Sequence, residues 1–328
     1  VKVSVALCTF NGERWIEPFL ASLVDQTRLP DELVVSDDGS GDATVAIIES
    51  FARVAPFPVL LTPTADRLGS TMNFGRAFAR CHGDLVAPAD QDDLWLPTKL
   101  ERLHGTMVTE GVAMAFSDGG VIDGHGASVD TTLWAGVGFD QREQRRFARD
   151  PLSVLVRRSV VTGAAMMFRA DELDRLLPFP PALNAPASLM LQDRWIALVL
   201  AAVAEVRAVP EPLISFREHP DQQTGLRQPA SVGDLGRQLR RSSESSAASL
   251  SVRAAQLEAV RSRLRGDARS GADRLLARAV GHLSVRAALP GSRLRRVPSV
   301  TREWLSGSYR RCSGGSRSAV ADLVRPAR

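Results

Sequence analysis

Short apolar runs alternate with longer stretches of helical spacing over about the first ninety residues. Lys2–Leu7, Leu33–Ser36, Val59–Leu61 and Leu85–Ala87 are brief runs of the kind that form buried parallel strands. Between them, Glu13–Gln26 carries Trp15, Ile16, Phe19, Leu20 and Leu23 at helical spacing, and Thr44–Val54 sets Val45, Ile48 and Phe51 on one face. Thr71–Cys81 predicts a third helix. This βαβαβαβ order predicts a parallel sheet with right-handed crossovers and helices on both faces. Further on, Leu96–Met107 reads as helix, Gly119–Asp150 with its six glycines as a loop region, and Pro212–Phe216 as strand. After Gly225 the rhythm changes. Leu250, Leu257 and Leu264 recur every seven residues, and Leu275, Leu276, Ala279, Val280 and Leu283 continue an amphipathic helical pattern with arginines opposite. The pattern predicts an α/β domain over 1–226, a basic helical region over 227–290 and a Ser-, Gly- and Arg-rich tail over 291–328, the tail partly disordered.

Composition adds bounds. The chain of 328 residues is long enough for about two domains. Its three cysteines, Cys8, Cys81 and Cys312, are odd in number and far apart. They form no disulfide framework, so a reducing, cytoplasmic setting is expected. No apolar run reaches the roughly 18 residues of a membrane span, and the opening residues lack the pattern of a signal peptide. Charge is divided. Residues 227–328 hold 21 Arg against 7 acidic residues, a net +14, which leaves −10 for 1–226. A basic helical region either packs on the rest of the chain or meets an anionic surface, such as the inner face of the cell membrane. No aromatic platform accompanies the arginines, which argues against nucleic acid.

Candidate chemistry lies in the acidic half. No G-x-G-x-x-G follows the first strand, and there is no P-loop. Instead, carboxylates follow two strands, at Asp37-Asp38 and at Asp90, Asp92 and Asp93. Parallel sheets place ligands beyond their carboxyl ends. Three aspartates within four residues repel one another, and a bound dication relieves that repulsion. Oxygen ligands suit Mg²⁺ or Mn²⁺, with phosphate oxygens completing the shell. Taken alone, such a cluster is more often a turn or a helix cap.

The set is not alone. Thr9-Phe10-Asn11-Gly12, Asp37-Asp38-Gly39-Ser40, Leu68-Gly69 with Asn73-Phe74, and Asp90-Gln91-Asp92-Asp93-Leu94-Trp95-Leu96-Pro97 occur in order. Gly163–Arg169, Gln192-Asp193-Arg194-Trp195 and Phe216-Arg217-Glu218-His219 follow. On these motifs residues 1–226 resemble the inverting family 2 glycosyltransferases of GT-A fold, and within them the bacterial rhamnosyltransferase-like branch. The resemblance implies a GT-A domain, Rossmann-like with a mostly parallel sheet, carrying an α-helical C-terminal appendage. It implies metal-dependent transfer by single displacement from a dTDP- or UDP-linked sugar, with dTDP-L-rhamnose favoured. The acceptor would be a hydroxyl of a cell-envelope glycan, a glycolipid or a small natural product.

By the same resemblance Asp193 is the general base. Thr9, Asn11, Asp37, Asp38, Gly69, Asn73, Asp90, Asp93 and Arg217 meet the nucleotide sugar. Asp92, with Asp90 and His219, holds Mn²⁺ or Mg²⁺. Two positions depart from the pattern: Gln192 stands where many relatives carry His or an acid, and Pro220-Asp221-Gln222-Gln223 where Asn often follows the histidine. Two other readings compete. A sugar nucleotidyltransferase would need a Gly-rich basic loop that Cys8–Gly12 does not offer, and a non-catalytic scaffold would work through the basic helices.

Overall fold

The computed structural model describes residues 1–184, 190–220, 222, 246–264 and 266–325. Two compact units share the chain. One comprises Val1–Ala148, Val160–Phe179 and Ala204–Arg227, and the other Arg149–Ser159, Pro180–Val203 and Gln228–Arg328.

The first unit is built on a sheet of nine described strands. They are β1 (Val3–Thr9), β2 (Glu32–Asp37), β3 (Val59–Pro63), β4 (Leu85–Asp90), β5 (Leu94–Trp95), β6 (Met114–Asp123), β7 (Ser128–Thr132), β8 (Met166–Arg169) and β9 (Val206–Glu218). Their order is β3-β2-β1-β4-β8-β6-β9-β5, with β7 paired to β6. The first four strands are parallel, in register Val5 with Leu33 and with Ala87. Every residue of β1 is buried, as the interior place of an unbroken apolar run requires. Helices α1 (Ile16–Val24), α2 (Thr44–Ala52) and α3 (Ser70–Phe78) make the crossovers. The mixed half follows: β8 runs antiparallel to β4 and β6, while β9 runs parallel to β6.

After β5 the chain turns through Pro97 into α4 (Lys99–Glu110), so the helix starts three residues later than its spacing predicts. Leu96 is still tied to the sheet through its N–H to the Leu213 carbonyl, 3.0 Å. Gly119–Asp150 is not a loop region but the end of β6, β7, α5 (Leu133–Gly136) and α6 (Gln141–Arg149). Its glycines misled because one of them answers a packing need. A side chain at Gly119 would meet Ile214 at 2.6 Å and Leu133 at 2.8 Å. An aromatic core holds this region, with Phe116 against Trp134 and Phe147, ring centroids 5.7 and 5.3 Å apart. Each such buried ring contributes about 1.5–3 kcal/mol.

Of the remaining helices, α7 (Pro151–Arg157) belongs to the second unit and α8 (Leu173–Leu176) to the first. The second unit continues with α9 (Gln192–Val203), α10 (Ala247–Arg263), α11 (Ala272–Ala287), α12 (Arg293–Leu305), α13 (Ser308–Cys312) and α14 (Ser316–Val324). Trp195 through Leu200 are fully buried, which makes α9 an interior helix rather than an amphipathic one. Leu250, Ala254, Leu257 and Val260 face inward from α10, and Leu276, Ala279 and Leu283 from α11, as the sequence pattern predicts.

The tail, read as partly disordered, is helical over α12, α13 and α14. Buried polar pairs share its interior with a small apolar cluster of Val300, Tyr309 and Ala319, so its composition resembles that of a solvated segment. Asp322, wholly buried, accepts from Arg286 Nε at 2.6 Å and from the Tyr309 hydroxyl at 2.7 Å. His282 Nδ1 lies 2.6 Å from a Glu303 oxygen. Arg296 donates to the carbonyls of Pro290, Gly291, Asp322 and Arg325. No described helix is long and apolar enough to cross a membrane.

Candidate active site

The carboxyl ends of β1, β2 and β4 carry the conspicuous residues, and much of the polar chemistry there is spent on tying the loops together. Asp37 ends β2 wholly buried. Its carboxylate accepts from the Thr9 hydroxyl at 2.7 Å, the Ser40 N–H at 2.8 Å, the Ser40 hydroxyl at 2.6 Å and the Gly39 N–H at 3.2 Å. Asp37, expected to meet a ligand, is thus a turn clamp with its lone pairs used. Asn73 is likewise committed: its amide oxygen accepts from the Ser36 hydroxyl at 2.6 Å and its Nδ2 donates to the Ser36 carbonyl at 2.7 Å. Asn11 takes a left-handed φ of 46° and accepts from the Gly41 N–H. Asp38 receives the N–H groups of Leu68 and Gly69 at 2.6 and 2.9 Å, which brings the segment before α3 to the end of β2. Gly69 enters that contact at φ 82°, a conformation natural to glycine.

Beyond β4 the acidic run separates into distinct roles. Asp90 is half-buried and stands opposite Cys8 in the ladder. Gln91, which sequence reasoning passed over, grips the loop after β1. Its Oε1 accepts from the Phe10 N–H and its Nε2 donates to the Phe10 carbonyl, each at 3.0 Å. The amide lies where a side chain on Gly12 would project, within 2.1 Å.

Asp93 is buried, its Oδ1 accepting from the Arg217 N–H at 3.0 Å, while its Oδ2 is buried without a partner. Burial first, then the Asp92 and Asp90 charges, push its carboxyl well up. Lys99, also missed, is buried as well. Its Nζ donates to the Ala164 carbonyl at 2.6 Å and lies 3.0 Å from the centroid of Trp95. Burial pulls its ammonium well down, against the pull of Asp93 and Asp90. No periodic signal distinguishes Lys99 from an ordinary surface lysine opening a helix.

Asp92 and His219, more than a hundred residues apart in sequence, come together with Oδ2 and Nε2 2.9 Å apart. Arg217 Nε holds the Asp92 carbonyl at 2.8 Å, so the guanidinium positions the pair. Trp15 backs the group, with its ring 5.3 Å from that of His219 and with Arg14 and Arg217 over it at 4.2 and 4.6 Å. Among the described residues no three His, Cys, Asp or Glu side chains gather closely enough to hold a metal by themselves. The expected set of Asp90, Asp92 and His219 is therefore reduced to the Asp92–His219 pair.

That pair suits a cation. Two ligands at right angles, each about 2.0–2.1 Å from an ion, sit about 3 Å apart. The other ring nitrogen of His219, Nδ1, is buried without a partner among the described residues. One carboxylate and one imidazole would leave most of a coordination shell open to oxygen ligands.

Asp193 opens α9 in the second unit and is half-buried in its first turn.

Comparisons with known proteins point one way. The family description "Glycosyl transferase family 2" matches residues 4–176. An uncharacterized glycosyltransferase of Nostoc sp. is 26% identical over 227 residues, covering 67% of this chain and 65% of that protein. The dTDP-rhamnosyl transferase RfbG of Shigella flexneri is 32% identical over 106 residues, 31% of this chain and 37% of that one. The chain thus spans less than two-thirds of the length of these curated relatives. S. aureus TarS, solved with UDP, shares the fold at TM-score 0.54 and 15% identity, covering 99% of this chain and 89% of that one. A Pyrobaculum calidifontis mannosyltransferase, solved with GDP-Man and Mn²⁺, matches at TM-score 0.52 and 19% identity, over 98% and 86%.

Proposed function

The chain belongs to glycosyl transferase family 2, and from that footing we propose that it transfers a sugar from a nucleotide-diphosphate donor to an acceptor hydroxyl, with inversion. The observation that carries this reading is the Asp92–His219 pair, seated where an α/β sheet presents its ligands. Asp92 and His219 would hold a divalent cation, which would supply charge neutralisation to a departing diphosphate. The remaining work falls to the chain. Asp38 and Thr9 border the nucleotide base, with Arg67 over the Phe10 ring at 3.5 Å beside them. Asp90 faces the ribose. Asp93 offers its unpartnered Oδ2 to a donor-sugar hydroxyl, at the cost of no existing bond. Arg217 keeps Asp92 and Asp93 in place. Asp193 takes the proton of the attacking hydroxyl as the glycosidic bond forms. The RfbG match favours dTDP-L-rhamnose as the donor, and an acceptor in cell-envelope glycan, glycolipid or natural-product glycosylation fits that donor.

A donor panel tests this without an acceptor. dTDP-rhamnose, UDP-glucose, UDP-N-acetylglucosamine and GDP-mannose are incubated with Mn²⁺, Mg²⁺ or chelator, and slow hydrolysis is scored. The expected result is turnover of dTDP-rhamnose that the chelator abolishes. With the acceptor in hand, Asp193→Asn lowers kcat by about 10²–10⁴ with donor affinity kept. Full turnover by that variant overturns the base assignment.

A further inference from the structure

Helix α12 turns an unusual face to solvent. Leu294 is 84% exposed, Leu305 73%, Trp304 54% and Val297 45%. At 100° per residue these four fall within an arc of about 100°. The buried Arg296 and Val300 lie on another side of the helix, with Arg296 anchored on four carbonyls. The exposed apolar arc is therefore not the face that builds the unit's interior. Arginines border it, Arg293 on one flank and Arg295 and Arg302 on the other, all exposed.

The exposed charges of the two helices that follow are mostly of one sign. Arg310, Arg311 and Arg317 are exposed on the two helices that follow. The acids of the described residues 291–325 are Glu303 and Asp322. Glu303 is taken by His282, and Asp322 by Arg286 and Tyr309. The cationic surface thus has no carboxylate of its own segment left to neutralise it.

We propose that the exposed face of α12 is a docking surface for an anionic lipid bilayer. Helix α12 lies flat in the interface, with Leu294, Val297, Trp304 and Leu305 in the acyl boundary and the flanking arginines among the headgroup phosphates. An apolar stripe with a basic border is the form of an interfacial helix. Tryptophan is the side chain that settles at headgroup depth, and each arginine near an anionic surface multiplies binding by about fivefold. A protein partner would need acidic groups matched in position to each arginine, whereas a bilayer offers negative charge at every position. This surface is independent of the transfer chemistry, and its test reads vesicle binding rather than turnover.

The test uses the full chain with vesicles of phosphatidylcholine alone or with about one-third phosphatidylglycerol, scored by co-sedimentation. Binding is expected to the anionic vesicles at least tenfold more strongly than to the neutral ones. Leu294→Ser with Leu305→Ser is expected to lower that binding at least tenfold, as is Arg295→Gln with Arg302→Gln. All four positions are solvent-facing, where substitutions leave folding nearly unchanged. Brominated phosphatidylglycerol is expected to quench emission of the wild type, and the quenched component to vanish in Trp304→Phe. Four outcomes overturn the proposal: equal binding to neutral vesicles; binding unmoved by the leucine pair, which marks a general polyanion surface; concentration-dependent dimers that bury Trp304; and a Trp304 shielded from aqueous acrylamide in the free protein, which shows that another part of the chain covers it.

Discussion

Gly12 and Gln91 occupy one space, and their coupling can be measured. Ala at position 12 forces the Gln91 amide off both Phe10 groups, so Gly12→Ala costs about 1–3 kcal/mol in urea unfolding, the value of stranded backbone groups. Gln91→Ala loses the same bonds. The double variant is therefore expected to cost clearly less than the sum, and additive losses would show that the two do not share the space. Thiol chemistry gives a second residue-scale test. Burial pushes the Cys81 thiol up to about 12, the Cys312 thiol up to about 11, and Cys8 well above its ordinary value. A disulfide reagent at pH 8 is then expected to label the buried Cys8 and Cys312 only at the rate of unfolding and the half-buried Cys81 slowly, and fast labelling of the native chain contradicts this. Asp92 and His219 could be linked from the sequence only through the family resemblance of two separate motifs, and their 2.9 Å approach is what the structure adds. The fate of Asp37 and Asn73 was not legible, because an aspartate or asparagine that binds a ligand and one that ties a loop look alike in a string of letters. Only the direction of the side chain separates them.

At the scale of elements, the parallel strands could be read because each is buried on both faces and so unbroken in its apolar run. The mixed half could not, because Gly119 reports the closeness of Ile214 rather than a turn. Helices α12 to α14 hid for another reason, since buried polar pairs share their interior with only a small apolar cluster. Removing one member of such a pair strands the other. Asp322→Ala leaves Arg286 buried and unpaired, and is expected to destabilise α11 through α14 by about 3–5 kcal/mol, seen as lost amide protection over 272–325. These helices are also expected to respond to pH. Burial holds the His282 imidazole below its ordinary value, and the Glu303 carboxylate does not offset it. The unfolded chain then takes up the proton more readily than the folded one. Stability is full above the unfolded value of about 6.5 and falls as pH drops through the folded one. His282→Gln is expected to flatten that decline in thermal melts between pH 7 and 5.

Across the whole molecule, the division of the chain matters more than its composition. A cut at residue 226, where the charge changes sign, looks like a domain boundary in the sequence. The structure instead groups α7 and α9 with the C-terminal helices. A chain ending at residue 226 is expected to bind a hydrophobic dye and precipitate, because α9 keeps Trp195, Ile196 and Leu200 but loses the helices of its own unit. A cooperatively melting, dye-silent monomer would show that the α/β domain closes by itself.

The same interleaving has a meaning during synthesis. The ribosome finishes α9 at Val203, yet the last residue of α11 comes roughly eighty residues later. At about 5–20 residues per second that is a wait of roughly 4–16 s with an oily helix uncovered. A nascent chain held in that state is a natural client for a chaperone, and slowing translation after residue 203 would lengthen its exposure.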